Sequence, residues 1–361
     1  MTYFLTAVFV LMAYAFVFPQ ITLSSLYESY YDDNIFNNSS NVSDFINGLS
    51  LGAGYNMEAG NNNVQLYYMN NISYYRQNVY KSSHIHKFGL VDTYLFTEDE
   101  NPLNVGVNYA VKKNRDYFVL YDFNIFSFYL NYFHRNGDDG GFLIGYLFLL
   151  NRFENYPMFS HNENKIFLKY TKSFKTKTSF ILGIEYDNKR YLSSADEYSG
   201  SSSINQMKYY FNAAQSIGAN TGMNAHFLWR KNLSTGTRFL TSGDLIYYEE
   251  EIFLDNYSNE GYEAGLEIYQ RISSVFKGSF DFTYRTNNYL NLLVVDDLGY
   301  ETESYRKDKR IYFSAELNAE LNNIIDGLYA SLTWSSVINT SNDNFYKYSN
   351  RIYSFALGWE F

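Results

Sequence analysis

The sequence contains no cysteine, and this absence excludes several kinds of site. Without thiols there is no disulfide framework, no cysteine-based metal site and no lipid anchor on an N-terminal cysteine. Proline is nearly absent as well, at three residues in 361, so hydrogen-bonded strand ladders can run uninterrupted. Positive charge is not in excess either. The formal net charge of −10 argues against a nucleic-acid partner, which requires a basic surface.

Long hydrophobic runs are equally scarce. The chain has one, residues 4–18, which is too short and too isolated to predict a membrane-spanning helix. We interpret residues 1–20 as a secretory signal peptide, with cleavage near Ala15 at a small-x-small triplet. This segment has no Lys or Arg after Met1, which departs from the usual pattern. Residues 21–361 contain no linker, charge block or repeat, so we predict a single domain there.

Aromatic residues, in contrast, are abundant: they make up 20% of the chain, with 39 Tyr and 31 Phe. Aromatic side chains favour the half-buried surface of a β-sheet and collect where a membrane meets water. A mean hydropathy of −0.34 is too polar for a bundle of membrane helices. A soluble β-sandwich and a membrane β-barrel are both compatible with this composition.

The spacing of the hydrophobic residues decides between helix and strand. Apolar residues recur at every second position, which is the period of a β-strand. In residues 276–285, for example, Phe280 and Phe282 alternate with Lys277 and Asp281. The same alternation recurs in residues 103–112, 261–271 and 353–361. No helical period of comparable length competes with it, so the chain is predicted to be all-β.

Short and long connections alternate along the chain, as in outer-membrane barrels with short periplasmic turns and long extracellular loops. A barrel in lipid must close, because an open sheet edge would leave backbone groups unpaired. We therefore predict a closed antiparallel transmembrane β-barrel of about sixteen strands, within a range of about 14–18. The predicted strands are residues 21–31, 44–57, 62–76, 83–97, 103–112, 116–135, 141–152, 162–172, 177–187, 205–231, 237–250, 261–272, 276–287, 305–322, 327–338 and 349–361.

Two of these stretches are ambiguous. Residues 205–231 contain a possible turn near Gly218, but the apolar residues from Met207 to Trp229 keep one phase, so we predict one long strand. Residues 116–135 are apolar on both faces around Asn124. We predict one strand there also, because splitting it would reverse the alternation of short and long connections.

The last strand ends on an aromatic residue after a regular aromatic alternation. This pattern resembles the insertion signal that the barrel assembly machinery of the outer membrane recognises. The alternative is an ordinary amphipathic strand. The predicted signal consists of Tyr353, Phe355, Leu357, Trp359 and Phe361. It places the chain in the bacterial outer membrane, with membrane lipid, lipopolysaccharide and the assembly machinery as expected partners.

Charged residues occupy the polar phase of several predicted strands, and in a barrel that phase faces the lumen. There they would be hydrated and would bias the passage of solutes. The alternative is a solvated face stabilised by cross-strand pairs. Four tyrosines of the same phase would either narrow the bore or line a sugar path: Tyr67, Tyr75, Tyr269 and Tyr329. The predicted lumen-facing charges are Glu185, Glu263, Glu267, Arg271, Lys277, Asp281, Arg285, Glu316 and Glu320.

Enzyme motifs are weak, and we predict no catalytic residue, no metal site and no cofactor. His84 and His86 share a strand face at i, i+2 spacing, but no third ligand is placed beside them. No serine-centred nucleophile motif occurs. The acidic loop from Glu249 to Glu260 is interpreted as solvated, with divalent-cation or lipopolysaccharide binding as the alternative.

Two regions resemble outer-membrane β-barrel porins associated with exopolysaccharide systems. The first is residues 31–36 with 43–46 and the glycine-punctuated strand 49–52. The second is residues 306–310, Arg-Lys-Asp-Lys-Arg, with residues 348–351 before the last strand. The resemblance implies passage or export of polysaccharide or small solutes, and it assigns no catalytic residue.

The expected function is therefore a pore or export conduit of the outer membrane. A non-conducting scaffold or surface-binding barrel, acting through its extracellular loops, is the alternative. An outer-membrane hydrolase is a third, which the absence of a nucleophile–base pair disfavours. The cargo and the oligomeric state are left open by the sequence.

Overall fold

A computed structural model shows the chain as a β-barrel. The structure describes residues 20–96, 101–193, 203–234, 257, 259–296 and 298–361. The predicted signal peptide up to residue 19 and the predicted strand 237–250 lie outside these residues. No helix in the described ranges is long and apolar enough to span a membrane.

Sixteen strands form one closed sheet in which sequence neighbours pair antiparallel. Their bounds are β1 Ile21–Asp32, β2 Asp44–Ala59, β3 Asn62–Tyr75, β4 Ser83–Leu95, β5 Pro102–Asn114, β6 Phe123–Arg135, β7 Gly140–Phe153, β8 His161–Ser173, β9 Thr178–Tyr191, β10 Ser203–Ser216, β11 Thr221–Asn232, β12 Asn259–Arg271, β13 Phe276–Val295, β14 Glu301–Glu320, β15 Leu328–Ser341 and β16 Tyr348–Glu360.

The barrel closes where β1 pairs with β16. Tyr27 lies opposite Leu357 in this ladder, and the Leu23 and Phe361 backbones exchange two hydrogen bonds of 2.7 and 2.9 Å. Each strand therefore has two hydrogen-bonded neighbours, and the described sheet has no open edge. This satisfies the backbone of a sheet placed in lipid. The predicted fold class and strand number are confirmed.

The strands alternate between an apolar face and a polar face. On the apolar face, large side chains stay exposed around the whole circumference, for example Phe88 at 51%, Ile144 at 54% and Leu332 at 56%. Soluble monomers rarely expose contiguous apolar surface on this scale, whereas a barrel in lipid requires it. The polar face carries the ion pairs and glycines described below.

The predicted single strand 205–231 is wrong. Residues 203–216 and 221–232 form two strands, β10 and β11, joined by a short turn. The phase continues across this turn because the antiparallel register pairs residues of the same parity, such as Phe211 with Phe227. An uninterrupted phase is thus no argument against a turn. β11 pairs directly with β12, and its end at Asn232 lies with the long connections rather than at a predicted short turn.

The predicted strand 116–135 is also partly wrong. Residues 116–121 form a 3-10 helix in the β5–β6 connection, and β6 begins at Phe123. Phe118 and Tyr121 of this helix are buried, which explains the apolar residues on both phases there. β13 and β14 are 20 residues each, longer than the roughly 9–11 residues that a spanning strand needs. Their paired ends extend beyond the other strands.

Candidate functional site

The nine predicted charged residues share the polar face of the sheet. The β12–β13 register pairs Glu263 with Arg285, Glu267 with Asp281 and Arg271 with Lys277. Register also places Glu316 and Glu320 of β14 on this face, and Glu185 of β9 through its pairing with Lys208. Their sequence phase was therefore sufficient to group them. Whether they line a water-filled lumen remains a prediction.

Several of these charges are paired across strands. Arg285 Nη1 lies 3.9 Å from Glu263 Oε2, and His226 Nε2 lies 3.6 Å from Glu263 Oε1. Lys277 forms an ion pair with Glu320, and both side chains are more than two-fifths exposed. The polar face therefore carries both signs of charge in short-range pairs.

A second group of charges, on β8 to β10, was not singled out from the sequence. Lys208 Nζ lies 2.9 Å from Glu185 Oε1 and also pairs with Asp187, whose side chain is fully buried. On β8, Lys165 Nζ lies 3.3 Å from Glu163 Oε2. These residues follow the same phase as the predicted set. Their phase was therefore readable from the sequence, although only Glu185 was among the predicted residues.

Tyr257, from the β11–β12 connection, packs over this second group. Its hydroxyl donates to Glu163 Oε2 at 3.0 Å, and the Nζ atoms of three lysines lie 5.6–5.9 Å from its ring centroid: Lys165, Lys189 and Lys208. A connection of the long-loop end thus reaches onto the polar face. The period of the strands does not predict such a contact, because Tyr257 lies outside them.

The largest buried apolar group lies at the long-connection end of the barrel, and we call it the mouth cluster. Its residues come mainly from connections and strand ends rather than from the middle of strands. The Phe36 and Phe118 rings, from the β1–β2 and β5–β6 connections, lie 6.3 Å apart. The cluster therefore joins connections that are not neighbours in the ring. Its buried members are Ile35, Phe36, Ile46, Phe118, Tyr121, Phe153, Phe159, Tyr289, Leu292 and Tyr346.

Arg306 is the one fully buried arginine within this region among the described residues. Its guanidinium carbon lies 3.2 Å from the Tyr346 ring centroid and 4.4 Å from that of Tyr289. Its Nε donates to Asp308 Oδ1 at 3.1 Å. Both charged side chains have no exposed surface. The guanidinium links the projecting β13–β14 pair to the β15–β16 connection.

Asp343, in the β15–β16 connection, is a second buried acid at the mouth. Burial raises its pKa, while hydrogen bonds from the backbone N–H groups of Val295 and Phe345 and the charge of Arg306 act in the opposite direction. The distances from these donors are 3.2 and 3.0 Å. Asp343 is therefore a carboxyl of the mouth whose pKa is raised by burial.

Several bulky residues of the polar face lie flat on the wall instead of pointing across the barrel. Tyr67 covers Gly89 and Tyr329 covers Gly358, each being its direct cross-strand partner. A Cβ at either glycine would overlap the ring. Three further rings sit in the same way: Tyr129 on Gly106, Phe167 on Gly145 and His226 on Gly265. Two of the four tyrosines expected to narrow the bore therefore lie along the wall.

The other two tyrosines of that set differ from each other. Tyr75 packs against the mouth cluster, whereas Tyr269 is 47% exposed on the polar face. His84 and His86 lie on the apolar face, where the His86 Nδ1 is 2.8 Å from the Tyr68 hydroxyl. In the described part of the chain, no three His, Asp or Glu side chains gather as metal ligands. The acidic residues 249–251 lie outside the described ranges.

The proposed assembly-signal residues all lie on the apolar face of β16 or just after it. Tyr353 is 52% exposed, and the Trp359 indole donates to the Asp326 carbonyl at 2.8 Å. The Trp359 and Phe361 ring centroids are 4.2 Å apart. This places an aromatic pair beside the short turn between β14 and β15. Their recognition by an assembly machinery stays a prediction.

The two regions that carry the porin resemblance meet at the mouth. Asn350 Nδ2 donates to the Asn34 carbonyl at 3.1 Å, and Asn34 Nδ2 donates to the Ser349 carbonyl at 3.2 Å. The Arg351 N–H donates to the Asp33 carboxylate at 2.6 Å. These contacts tie the β1–β2 connection to the start of β16.

No protein-family model and no curated protein matches the sequence. Solved structures do share the fold. OccAB1 of Acinetobacter baumannii has a TM-score of 0.54 and 9% identity, with 95% of this chain and 97% of that chain covered. The outer membrane protein OprD of Pseudomonas aeruginosa has a TM-score of 0.52 and 8% identity, with 95% and 94% covered. OccAB2 of Acinetobacter baumannii has a TM-score of 0.51 and 10% identity, with 95% and 99% covered.

The TM-scores and the coverage show a shared fold, and at such low identities they show the fold alone. The neighbours are outer-membrane porins, and their barrels match this chain over nearly its whole length. The fold agrees with the location in the bacterial outer membrane expected from the sequence. An association with exopolysaccharide systems receives no support from these structures. The chain has the fold of an outer-membrane β-barrel porin.

Proposed function

We propose that the protein is an outer-membrane channel for small solutes and that the polar face lines its passage. The observation that carries this proposal is the division of one closed sheet into an exposed apolar face and a polar face rich in charges. Lipid accepts the first face and water the second. The mouth cluster supports the assignment, because connections from different sides of the ring can meet only on the inner side.

The polar face suits solutes of modest size. Rings that lie flat on glycines keep the wall smooth, while the mouth cluster restricts the long-connection end. A restricted mouth would hinder the passage of a bulky polymer. For this reason we do not propose polysaccharide export, although the resemblance in the sequence implied it. The nine charged residues would tune which small solutes pass.

Planar-bilayer recording tests the channel directly. Purified, folded protein is expected to give discrete conductance steps, and a loss of rectification or selectivity is expected when Asp281 and Arg285 are neutralised. Complete absence of conductance in folded protein contradicts the proposal.

Thiol labelling tests the face assignment. The chain has no native cysteine, so each introduced thiol reports alone. A cysteine at Asp281 is expected to react with a water-soluble thiol reagent, and the adjacent position Phe280 provides the matched control in lipid. Faster reaction at Phe280 than at Asp281 would show that the two faces are reversed.

We also propose that β16 is the assembly signal and that the barrel assembly machinery and outer-membrane lipid are partners. Replacing Trp359 and Phe361 with Asp is expected to reduce outer-membrane levels sharply. The control is Glu360→Gln, on the opposite face of the strand. Equal levels of the two variants contradict the signal.

A non-conducting scaffold is the second candidate, because the mouth cluster covers one end of the polar face and β13 with β14 project beyond it. Folded protein without conductance favours this function. Restored conductance after loosening the mouth, for example by Phe118→Ala, would return the assignment to a channel.

A further inference from the structure

The polar face is not polar everywhere. On β6 and β7, five apolar side chains share the polar face with polar ones such as Ser127, Asn131 and Asn151: Ile125, Phe133, Leu143, Leu147 and Leu149. These side chains are half-buried rather than enclosed. Register places Ile125 opposite Asn151, Phe133 opposite Leu143 and Leu149 opposite Ser127, so the five form one band on two paired strands. We call it the β6–β7 band.

The mouth cluster does not account for this band. Phe153 and Phe123, at the mouth ends of β7 and β6, belong to the cluster or pack against it. Leu143 and Leu147 lie further along β7, and neither is part of the buried core. An apolar band that faces a hydrated passage can bind the apolar group of a solute, because this contact removes apolar surface from water.

The wall opposite the band is charged. In a ring of sixteen strands, β6 lies eight positions from β14, and β12 and β13 adjoin β14. This wall carries a row of carboxylates, Glu267, Asp281 and Glu316, within a few residues of one another in register. A row of guanidinium groups lies nearer the mouth, where Arg285 pairs in register with Arg310. The charged wall therefore has a row of three carboxylates and, nearer the mouth, two neighbouring arginines, with Glu263 beside Arg285.

We infer that the passage favours small zwitterions with an apolar side group. The ammonium group of such a solute meets the carboxylate row, its carboxylate meets the arginines, and its side group contacts the β6–β7 band. A purely polar zwitterion of the same size lacks the last contact. This inference rests on the proposed channel function and specifies its substrate class.

The experiment compares leucine with asparagine, which share a zwitterionic backbone and have similar volumes. Uptake into proteoliposomes is expected to be several-fold faster for leucine than for asparagine. The triple variant Leu143→Asn, Leu147→Asn, Leu149→Asn is expected to abolish or reverse this preference. Val337→Asn, on the polar face of β15 and outside the band, is the matched control and is expected to retain it. The single variant Leu147→Asn, with a reduced preference, replaces the triple variant if that one does not fold.

The charged wall is tested with a second pair of solutes. 4-Methylpentanoate has the apolar group and carboxylate of leucine but no ammonium group. Glu267→Gln combined with Asp281→Asn is expected to slow leucine several-fold more than 4-methylpentanoate. An equal effect on the two solutes overturns the role of the carboxylate row.

The outcomes separate the inference from the proposed function. If neither amino acid enters and no conductance is seen, the channel function itself fails. If both enter at equal rates in the wild type, the channel stands and the apolar preference is overturned. A leucine preference that survives the loss of all three leucines also overturns it.

Discussion

The two ends of the barrel are built differently. At the long-connection end, the described connections bury an aromatic cluster, the Arg306–Asp308 pair and Asp343. At the short-turn end, tight turns at Gly60, Gly137 and Gly327 use positive φ angles of 62°, 71° and 75°. The chain there buries no comparable cluster within the described ranges.

The difference follows from what each end must satisfy. A short turn leaves few backbone groups unpaired, so it needs little more than a favourable backbone conformation. A long connection has many polar backbone groups and no ladder to satisfy them. It becomes ordered by forming a small core of its own, which here lies on the inner side of the ring. Mutations at the two ends should therefore differ in both size and cause.

The largest difference in the free energy of unfolding is expected between two alanine substitutions, one at each end of the barrel. Arg306→Ala removes one partner of a fully buried ion pair and leaves Asp308 uncompensated, which costs about 3–5 kcal/mol. Lys277→Ala, at the short-turn end, removes an exposed partner of Glu320, and a solvent-screened pair of this kind contributes little to stability. Guanidinium unfolding in detergent micelles measures both. Equal costs would show that the mouth is not a separately packed region.

A smaller effect is expected along the wall between the ends. Gly89→Ala places a methyl group inside the Tyr67 ring, so one of them must move, at about 1–3 kcal/mol. Gly278→Ala is the control, because its Cβ meets only ordinary contacts, the nearest being Ile272 Cδ1 at 3.5 Å. The same unfolding experiment compares them. A stable Gly89→Ala protein of unchanged conductance would contradict the flat-ring arrangement.

At the short-turn end itself, a modest cost of purely local origin is expected. Gly60 has a φ of 62° and nothing within 4 Å of its Cβ position, so Gly60→Ala strains only the backbone. The expected loss is about 1 kcal/mol. Gly60→Asn should lose less, because Asn tolerates this conformation. Identical losses for Ala and Asn would indicate a contact rather than backbone strain.

The smallest effect is a change of stability with pH at the mouth. Because burial raises the pKa of Asp343, its protonated form is favoured in the folded state. Its contribution to stability is therefore greatest below the unfolded pKa of about 3.9 and falls as pH rises through the folded pKa. The unfolding free energy of the wild type, relative to that of Asp343→Asn, should therefore fall as the pH rises. A difference that grows in favour of the wild type at higher pH would reverse the sign.

Periodicity was a sufficient guide to the fold where the ladder dominates. The bounds of β1, β3 and β12 lie within two residues of the predicted ones, because alternating burial is a local property. It failed at residues 205–231, where the turn preserves phase, and at residues 116–121, where burial in the mouth cluster imitates a strand. The spacing of hydrophobic residues encodes neither a turn that preserves the phase nor the burial of a connection in the mouth cluster.

The site was predictable in part for the same reason. Phase alone grouped Glu263, Asp281 and Arg285, which register then brings onto neighbouring strands. Arg306 and its tyrosines could not be found in this way, since Tyr346 comes from a connection 40 residues later in the chain. The seating of Tyr67 on Gly89 likewise requires the cross-strand register, which is fixed only when the whole sheet is paired.

The β10–β11 turn has a consequence for how such barrels change in size. Because cross-strand partners in an antiparallel sheet share a face, as Phe211 and Phe227 do here, adding or removing a whole hairpin leaves the inside–outside pattern of the other strands unchanged. A hairpin of this kind can be inserted or deleted as a module, and each remaining side chain keeps its solvent. Barrels built from these modules are free to vary their strand number in steps of two over evolutionary time.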